Sequence, residues 1–399
     1  MKIGFMRLLD IRVGGFLCKV AKGWDHLCHF FHYRKNYPRE RILIIKISEM
    51  GAVVLALPLM QRLREKYAQE DIFWLIFQKN IPILKALSLV PEKNIITIRD
   101  DSLFAFIADS IRAVLRLRRE RVSVTLDLEF FARCSALLAY FTGAQKRIGF
   151  YHYAFEGLSR GDLLTHNIQY NPLLHTAKMY YAFAEVIDAD NKTTPELAIT
   201  DGQDFSLAPL TVSSDARGKV VSRLEKKFKR LSGAKIFLVN PGEGILPLRE
   251  WPFDNFVGLC QKIMADENNL VMVVGSKGEG KGERLAAMLP TERSISFAGE
   301  TDIFELIALL DLADCLIVND CGMAHIASLT KIKQFVFFGP ETPVLFGPLG
   351  DKTTVFYAHS FCSPCFSAFN HRESACKNNI CLQYFGVEDV YRVIQEKIR

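Results

Sequence analysis

The spacing of apolar residues changes period along the chain. Between Phe5 and Phe31, the residues Phe5, Leu8, Leu9, Ile11, Val13, Phe16, Leu17, Val20, Trp24, Leu27, Phe30 and Phe31 recur at roughly helical spacing. They are interleaved with Arg7, Arg12, Lys19, Lys22, Arg34 and Lys35. The pattern predicts an amphipathic helix with a basic side, suited to an anionic membrane surface or to packing on protein. Gly14-Gly15 weakens a single continuous helix there.

After Pro38 the period switches to short buried-type runs alternating with helical stretches. Residues 41–47, 72–76, 95–98 and 122–127 read as strands, and 53–67 as a helix. Residues 200–217 turn polar and loop-like, and the pattern then restarts with strands at 236–239, 270–274, 315–318 and 335–338. Strands separated by helices of 10 to 15 residues imply parallel sheets. The restart predicts two similarly built α/β domains with a cleft between them. The division expected is a basic segment 1–38, a first domain 39–205, a second domain 215–385 carrying a cysteine-rich loop 359–383, and a last helix 386–399.

Composition narrows the class. At 399 residues, 49% hydrophobic and 24% charged, the chain can bury two full cores. A net charge of +6 is spread along the chain rather than gathered into a stripe, which argues against a nucleic-acid partner. Ten cysteines without a cleavable signal peptide point to a reducing cytoplasm. No run reaches the roughly 18 apolar residues of a membrane span.

Candidate chemistry lies where strands end. Asn319-Asp320-Cys321-Gly322-Met323-Ala324-His325 follows the apolar run 315–318 and leads into a helix. A carboxylate and bare backbone N–H groups are thereby placed at the carboxyl edge of a parallel sheet, where open α/β folds bind ligands. An ordinary strand–helix turn with an Asp cap is the competing reading.

Several ordered motifs together resemble the lipopolysaccharide heptosyltransferases, the ADP-heptose-using glycosyltransferase family 9. They are Ile44-Ile45-Lys46-Ile47-Ser48-Glu49-Met50-Gly51, Asp127-Leu128-Glu129, Arg147-Ile148-Gly149-Phe150, Asn240-Pro241-Gly242, Arg249-Glu250-Trp251-Pro252, the Asn319–His325 segment and Phe338-Gly339-Pro340. The resemblance implies the GT-B architecture of two facing Rossmann-like domains. It also implies inverting transfer of a sugar, a heptose, from an ADP-sugar to a hydroxyl of lipopolysaccharide core or another envelope acceptor, with no cofactor required. A different nucleotide-sugar donor with a polysaccharide or protein acceptor stays open, as does a catalytically silent nucleotide-sugar binder. The N-terminal segment is the candidate contact with the cytoplasmic face of the inner membrane.

On the donor side the resemblance assigns Asn240, Gly242, Glu279, Asp320, Gly322, Met323 and His325 to the nucleotide sugar. It places Arg249 beside the leaving diphosphate, where a cation stabilises developing charge without a metal. A surface ion pair of Arg249 with Glu250 or Asp254 is the alternative. On the acceptor side Gly51, Asp127 and Glu129 are candidates, with Arg133, Arg147 and Tyr151 for the acceptor surface. The family commonly carries an Asp base after the first-loop Gly, and this chain has Ala52 there. A methyl accepts no proton, so Glu49, three residues earlier, is the candidate base; capping of the following helix is its competing role.

Cys362, Cys365, Cys376 and Cys381 pair as a CxxC and a second couple within a polar loop, the spacing of a tetrahedral thiolate site. Zinc as a structural ion is the default there, and the resemblance leaves iron open, since some protein-directed heptosyltransferases bind iron in a cysteine finger; His359 and His371 are alternative ligands. Four unligated thiols are the other possibility.

Overall fold

The computed structural model describes residues 3–28, 37, 39–151, 160, 162–189, 205, 207–229, 231–242, 246–278 and 280–398. The chain forms two compact units, Met1–Asp204 and Phe205–Arg399. Each is built on one six-stranded parallel sheet.

The first sheet contains β1 (Ile42–Ile45), β2 (Ile72–Phe77), β3 (Ile95–Ile98), β4 (Val124–Asp127), β5 (Lys146–Tyr151) and β6 (His166–Gln169), in the order β3-β2-β1-β4-β5-β6. Every residue of β1, β2 and β4 is buried, as expected where helices cover both faces of a sheet. Those helices are α3 (Met50–Leu55), α4 (Leu57–Lys66), α5 (Ile81–Ala86), α6 (Leu103–Arg119), α7 (Arg133–Thr142) and α8 (Thr176–Val186), preceded by α1 (Ile3–Leu9) and α2 (Gly15–Cys28). The single helix expected over 53–67 breaks at Ala56. Pro58 sits in the first turn of α4, where it needs no N–H donor, and its ring blocks continuation from α3.

The N-terminal segment is helical across both glycines, because α1 and α2 are joined by a π-helical turn, Asp10–Gly14. Gly14 lets this segment lie close on α7: a Cβ there would come 3.1 Å from the Cβ of Arg133. The Asp10 carboxylate accepts the N–H groups of Arg133 (3.1 Å) and Cys134 (2.7 Å). It thereby caps α7, whose own N-cap residue Ala132 has no side-chain cap. Cys18 and Ala21 are buried with Leu137 and Leu163. One stripe of the segment therefore packs on its own protein. Phe30, Phe31, Arg34 and Lys35 lie outside the described residues, and among those described no helix is long and apolar enough to cross a membrane.

The second sheet repeats the plan with β7 (Lys235–Asn240), β8 (Asn269–Val273), β9 (Ser294–Ser296), β10 (Cys315–Asn319), β11 (Lys333–Phe338) and β12 (Thr353–Tyr357), in the order β12-β11-β10-β7-β8-β9. Its helices are α9 (Ser214–Lys227), α10 (Phe253–Ile263), α11 (Lys281–Ala287), α12 (Ile303–Leu312), α13 (Gly322–Ala327), α14 (Pro343–Phe346), α15 (Ile380–Gln383) and α16 (Val387–Ile398). Trp251 stacks on Phe337 at 4.4 Å in the core, and α16 seals that core with Val390 and Ile394. Strand order reverses between β7 and β10, so the loops after these two strands open at a topological switch point, the usual ligand crevice of such sheets.

Candidate functional site

In the C-terminal unit, the loops leaving β7, β10 and β11 meet around Arg249. Asn319, the last residue of β10, ties two of these segments together: its side chain accepts the Trp251 N–H (2.8 Å) and donates to the Pro241 carbonyl (3.3 Å). Asn240 accepts the Gly242 N–H at 3.1 Å, which folds the first loop over itself. Asp320 hangs from Phe337 through its backbone N–H (2.9 Å), and Cys321 opens α13, which carries Gly322, Met323 and buried His325. Glu279 lies outside the described residues, as do 243–245 of the first loop.

Arg249 occupies a short 3₁₀ turn, Pro247–Arg249, and is buried. Its guanidinium reaches Glu341 at 2.6 Å and Asp320 at 3.6 Å, rather than Glu250 or Asp254. Glu250 instead pairs with Lys281. Glu341 is 2% exposed and also takes Arg372 at 3.0 Å. Two guanidinium groups thus converge on one buried carboxylate. Arg372 comes from the cysteine-rich loop and lies over the ring of Phe346 at 5.1 Å, so that loop forms one wall of the site. Guanidinium groups of this kind also bind phosphate oxygens through paired N–H donors; here both are engaged by buried carboxylates. Neither Glu341 nor Arg372 is among the site residues expected from the sequence. Glu341 follows the quoted Gly339-Pro340 at a strand end, which is a usable signal; Arg372 has none, since only the fold carries its loop here.

In the N-terminal unit the loop after β1 is pinned by Glu129. That carboxylate accepts from the N–H groups of Ile47 (2.8 Å) and Ser48 (3.1 Å) and from Lys46 Nζ (2.9 Å). Lys46 is 1% exposed. Burial works against its charge, but Glu129, Tyr180 and Glu49 outweigh it and raise the ammonium well above its ordinary value. The Glu49 carboxylate stands 3.5 Å from Lys46 and is the exposed member of the trio, its side chain 42% accessible. Glu49 adopts φ 68°, a left-handed conformation rare for a side-chain-bearing residue, and makes no side-chain cap to α3. Gly51 and Ala52 lie in the first turn of α3, both buried.

Asp127 has no exposure. Burial pushes its carboxyl up to about 6, against the opposing pull of Arg160. Arg160 bonds Asp127 directly and also reaches Ser135 (2.9 Å) and the Ala132 carbonyl (3.0 Å). Asp127 therefore braces the wall behind the loop, while Glu49 is the carboxylate turned to solvent. Arg133 is buried beneath the N-terminal segment, and the Arg147 guanidinium is spent on the carbonyls of Leu163 (2.6 Å) and Ala144 (2.8 Å).

The expected thiolate metal site is a correction. Among the described residues, no group of three or more His, Cys, Asp or Glu side chains is arranged to hold an ion, and that includes Cys362, Cys365, Cys376, Cys381, His359 and His371. The four thiols share a neighbourhood: burial raises the Cys381 thiol, with smaller contributions from Cys365, Cys362 and Cys376. They point to different tasks. Cys376 donates to the Asn378 carbonyl (3.2 Å), Cys381 is buried in α15, and Cys362 faces solvent. The CxxC spacing is met locally, but the loop spends its polar groups on its own turns.

Two doubly wound Rossmann-like units, each on a six-stranded parallel sheet, place the chain in the α/β class. The sequence profile of Glycosyltransferase family 9 (heptosyltransferase) matches residues 112–375, well over half the chain, and the chain belongs to that family. It is 26% identical over 149 residues to lipooligosaccharide heptosyltransferase 2 of Haemophilus influenzae, a match spanning 37% of this chain and 43% of that relative. To lipooligosaccharide heptosyltransferase 2 of Haemophilus ducreyi it is 24% identical over 327 residues, 79% of this chain and 88% of the relative. The fold matches the E. coli ADP-heptose lps heptosyltransferase II structure with a TM-score of 0.67 at 19% identity, over 90% of this chain and 98% of that one. A family 9 glycosyltransferase structure from Veillonella parvula matches at 0.68 and 16%, over 90% and 97%.

Proposed function

We propose that the protein is an inverting glycosyltransferase that moves a heptose from an ADP-sugar to a hydroxyl of lipopolysaccharide core or another envelope acceptor. Membership of family 9 carries this reading, and Arg249 among the loops after β7, β10 and β11 supports it. The acceptor oxygen attacks the anomeric carbon from the side opposite the diphosphate. The new C–O bond forms as the bond to the diphosphate breaks, and ADP leaves with the electron pair. Arg249 meets the charge on the departing diphosphate, while Asn240, Gly242, Asp320, Gly322, Met323 and His325 hold the donor. The acceptor proton passes to Glu49, whose carboxylate Lys46 orients. The reaction runs on these side chains and needs no cofactor. The work is done at the cytoplasmic face of the inner membrane, with the N-terminal segment in contact with lipid.

Ala52 favours a second reading, a silent nucleotide-sugar binder, because the position following Gly51 offers only a buried methyl. Thermal unfolding with ADP, UDP, GDP, CMP and their sugar conjugates separates the cases. A ligand of the folded state at 100 times its dissociation constant adds about 2.7 kcal/mol. Stabilisation by ADP and ADP-heptose alone, with ADP released once acceptor is added, is expected. Stabilisation by another nucleotide replaces the donor, and binding without turnover favours the silent reading.

A further inference from the structure

The N-terminal segment buries one stripe on α7 and leaves the opposite one bare. Leu8 (54%), Phe16 (66%) and Trp24 (63%) are exposed on it. The π-helical turn Asp10–Gly14 adds about one residue, so Phe16 stays within roughly 20° of Leu8 instead of roughly 80° away; Trp24, eight residues further along α2, lies roughly 80° round from Phe16 on the flank of the same exposed side.

A second bare stripe runs along α6, where Phe104 (84%), Ile107 (49%) and Ile111 (56%) are exposed while Ala105, Ala113 and Leu117 face the core. The two elements belong to one layer. Both elements flank α7, and Met6 packs against the same core cluster as Phe106 and Val114 of α6. Exposed basic residues rim both: Arg12 and Lys19 on the segment, Arg118 and Arg119 on α6. Among the acids of these stretches whose side chains are described, Asp10 accepts at the N-terminus of α7 and Asp109 pairs with Arg99 and Arg112.

We infer that α6 and the N-terminal segment together form one docking surface for an anionic lipid bilayer, both lying in the interface with their basic rims at the headgroups. The inference rests on the membrane contact proposed for the N-terminal segment and extends it to α6, which sequence reading left unassigned. Large aromatic and aliphatic side chains ringed by cations match a surface that is apolar within and negative at its face. A second copy of this chain would set those cations against their own kind.

The protein carries its own probe. Of its three tryptophans, Trp74 and Trp251 are fully buried and Trp24 is 63% exposed. The full chain is titrated with vesicles of phosphatidylcholine, with and without phosphatidylglycerol, while fluorescence and co-sedimentation are read. A blue shift with phosphatidylglycerol, reversed by salt and lost in Trp24→Phe, is expected. Phe16→Glu and the pair Ile107→Glu/Ile111→Glu should each weaken partition by about tenfold or more. These substitutions are on exposed positions, so the melting temperature and its response to ADP should not move.

Wild-type protein that ignores anionic vesicles overturns the inference. So does an α6 variant that binds like wild type, which removes α6 from the surface. Dimerisation abolished by the same substitutions, without vesicle binding, would make a second copy the occupant and also overturn it. A protein that binds vesicles but responds to no nucleotide would fail the transferase reading and leave this surface standing.

Discussion

Replacing Arg249 with methionine keeps the length of the side chain and removes its charge. The Arg249 side chain is 10% exposed, its guanidinium bonded to Glu341 at 2.6 Å and 3.6 Å from Asp320. Deleting one partner of a buried ion pair typically costs 3–5 kcal/mol, because the other charge stays buried. Glu341 keeps Arg372 at 3.0 Å, so the lower end, about 3 kcal/mol, is expected. For a unit of this size that lowers the melting temperature by roughly 6–12 °C. Losing a preorganised donor to a leaving group adds a rate penalty of about 10²–10³. Arg249→Lys keeps the charge but cannot span two carboxylates, so it should recover part of the stability and less of the rate. The assays are calorimetry without ligand and ADP release from ADP-heptose at a temperature where all forms are folded. Turnover of Arg249→Met within about threefold of wild type, with an undiminished response to ADP, would refute the placement of Arg249 at the diphosphate.

Glu49→Gln should slow sugar transfer by about 10²–10⁴ with little change in ADP affinity, and adding Ala52→Asp should restore part of the rate if that position faces the acceptor. Equal rates for Glu49→Gln and wild type would end the assignment of Glu49. Asp10→Ala removes the borrowed cap of α7 and should cost about 1–2 kcal/mol, read as a lower denaturation midpoint with earlier proteolysis of the N-terminal segment. Asp109, gripped by Arg99 at 2.7 Å and 3.1 Å, is held down at about 2. A depressed carboxyl stabilises above its ordinary pKa, so this contribution should be lost as pH falls from about 4 to about 2. Asp109→Asn should flatten that part of an acid-denaturation profile.

The strands were legible because nothing in them conflicts. The runs at 42–45, 72–77 and 315–319 are apolar at every or nearly every position, which fits only burial on both faces, and helical periods between them force parallel pairing. The Asn319-Asp320 turn was legible for a related reason, since a strand that ends in polar residues and glycine has a short-range signal; Arg249, nine residues past the end of β7, was picked out only by the family resemblance. The break at Ala56 was harder, since Pro58 suits the first turn of one helix as well as it ends another. The cysteine spacing misled, because four thiols at metal-site intervals say nothing of how a loop spends its backbone.

Sequence by itself determined the two α/β units, their strand-end loops and the amphipathic character of the N-terminal segment, all of which are set by residues near one another in the chain. Tertiary structure decided which charges meet. Arg160 reaches Asp127 from 33 residues away, Arg249 finds Glu341 across 92, and Asp10 caps a helix that begins 123 residues later. A buried charge accepts whatever opposite charge folding brings beside it, and that pairing leaves no periodic trace in the sequence.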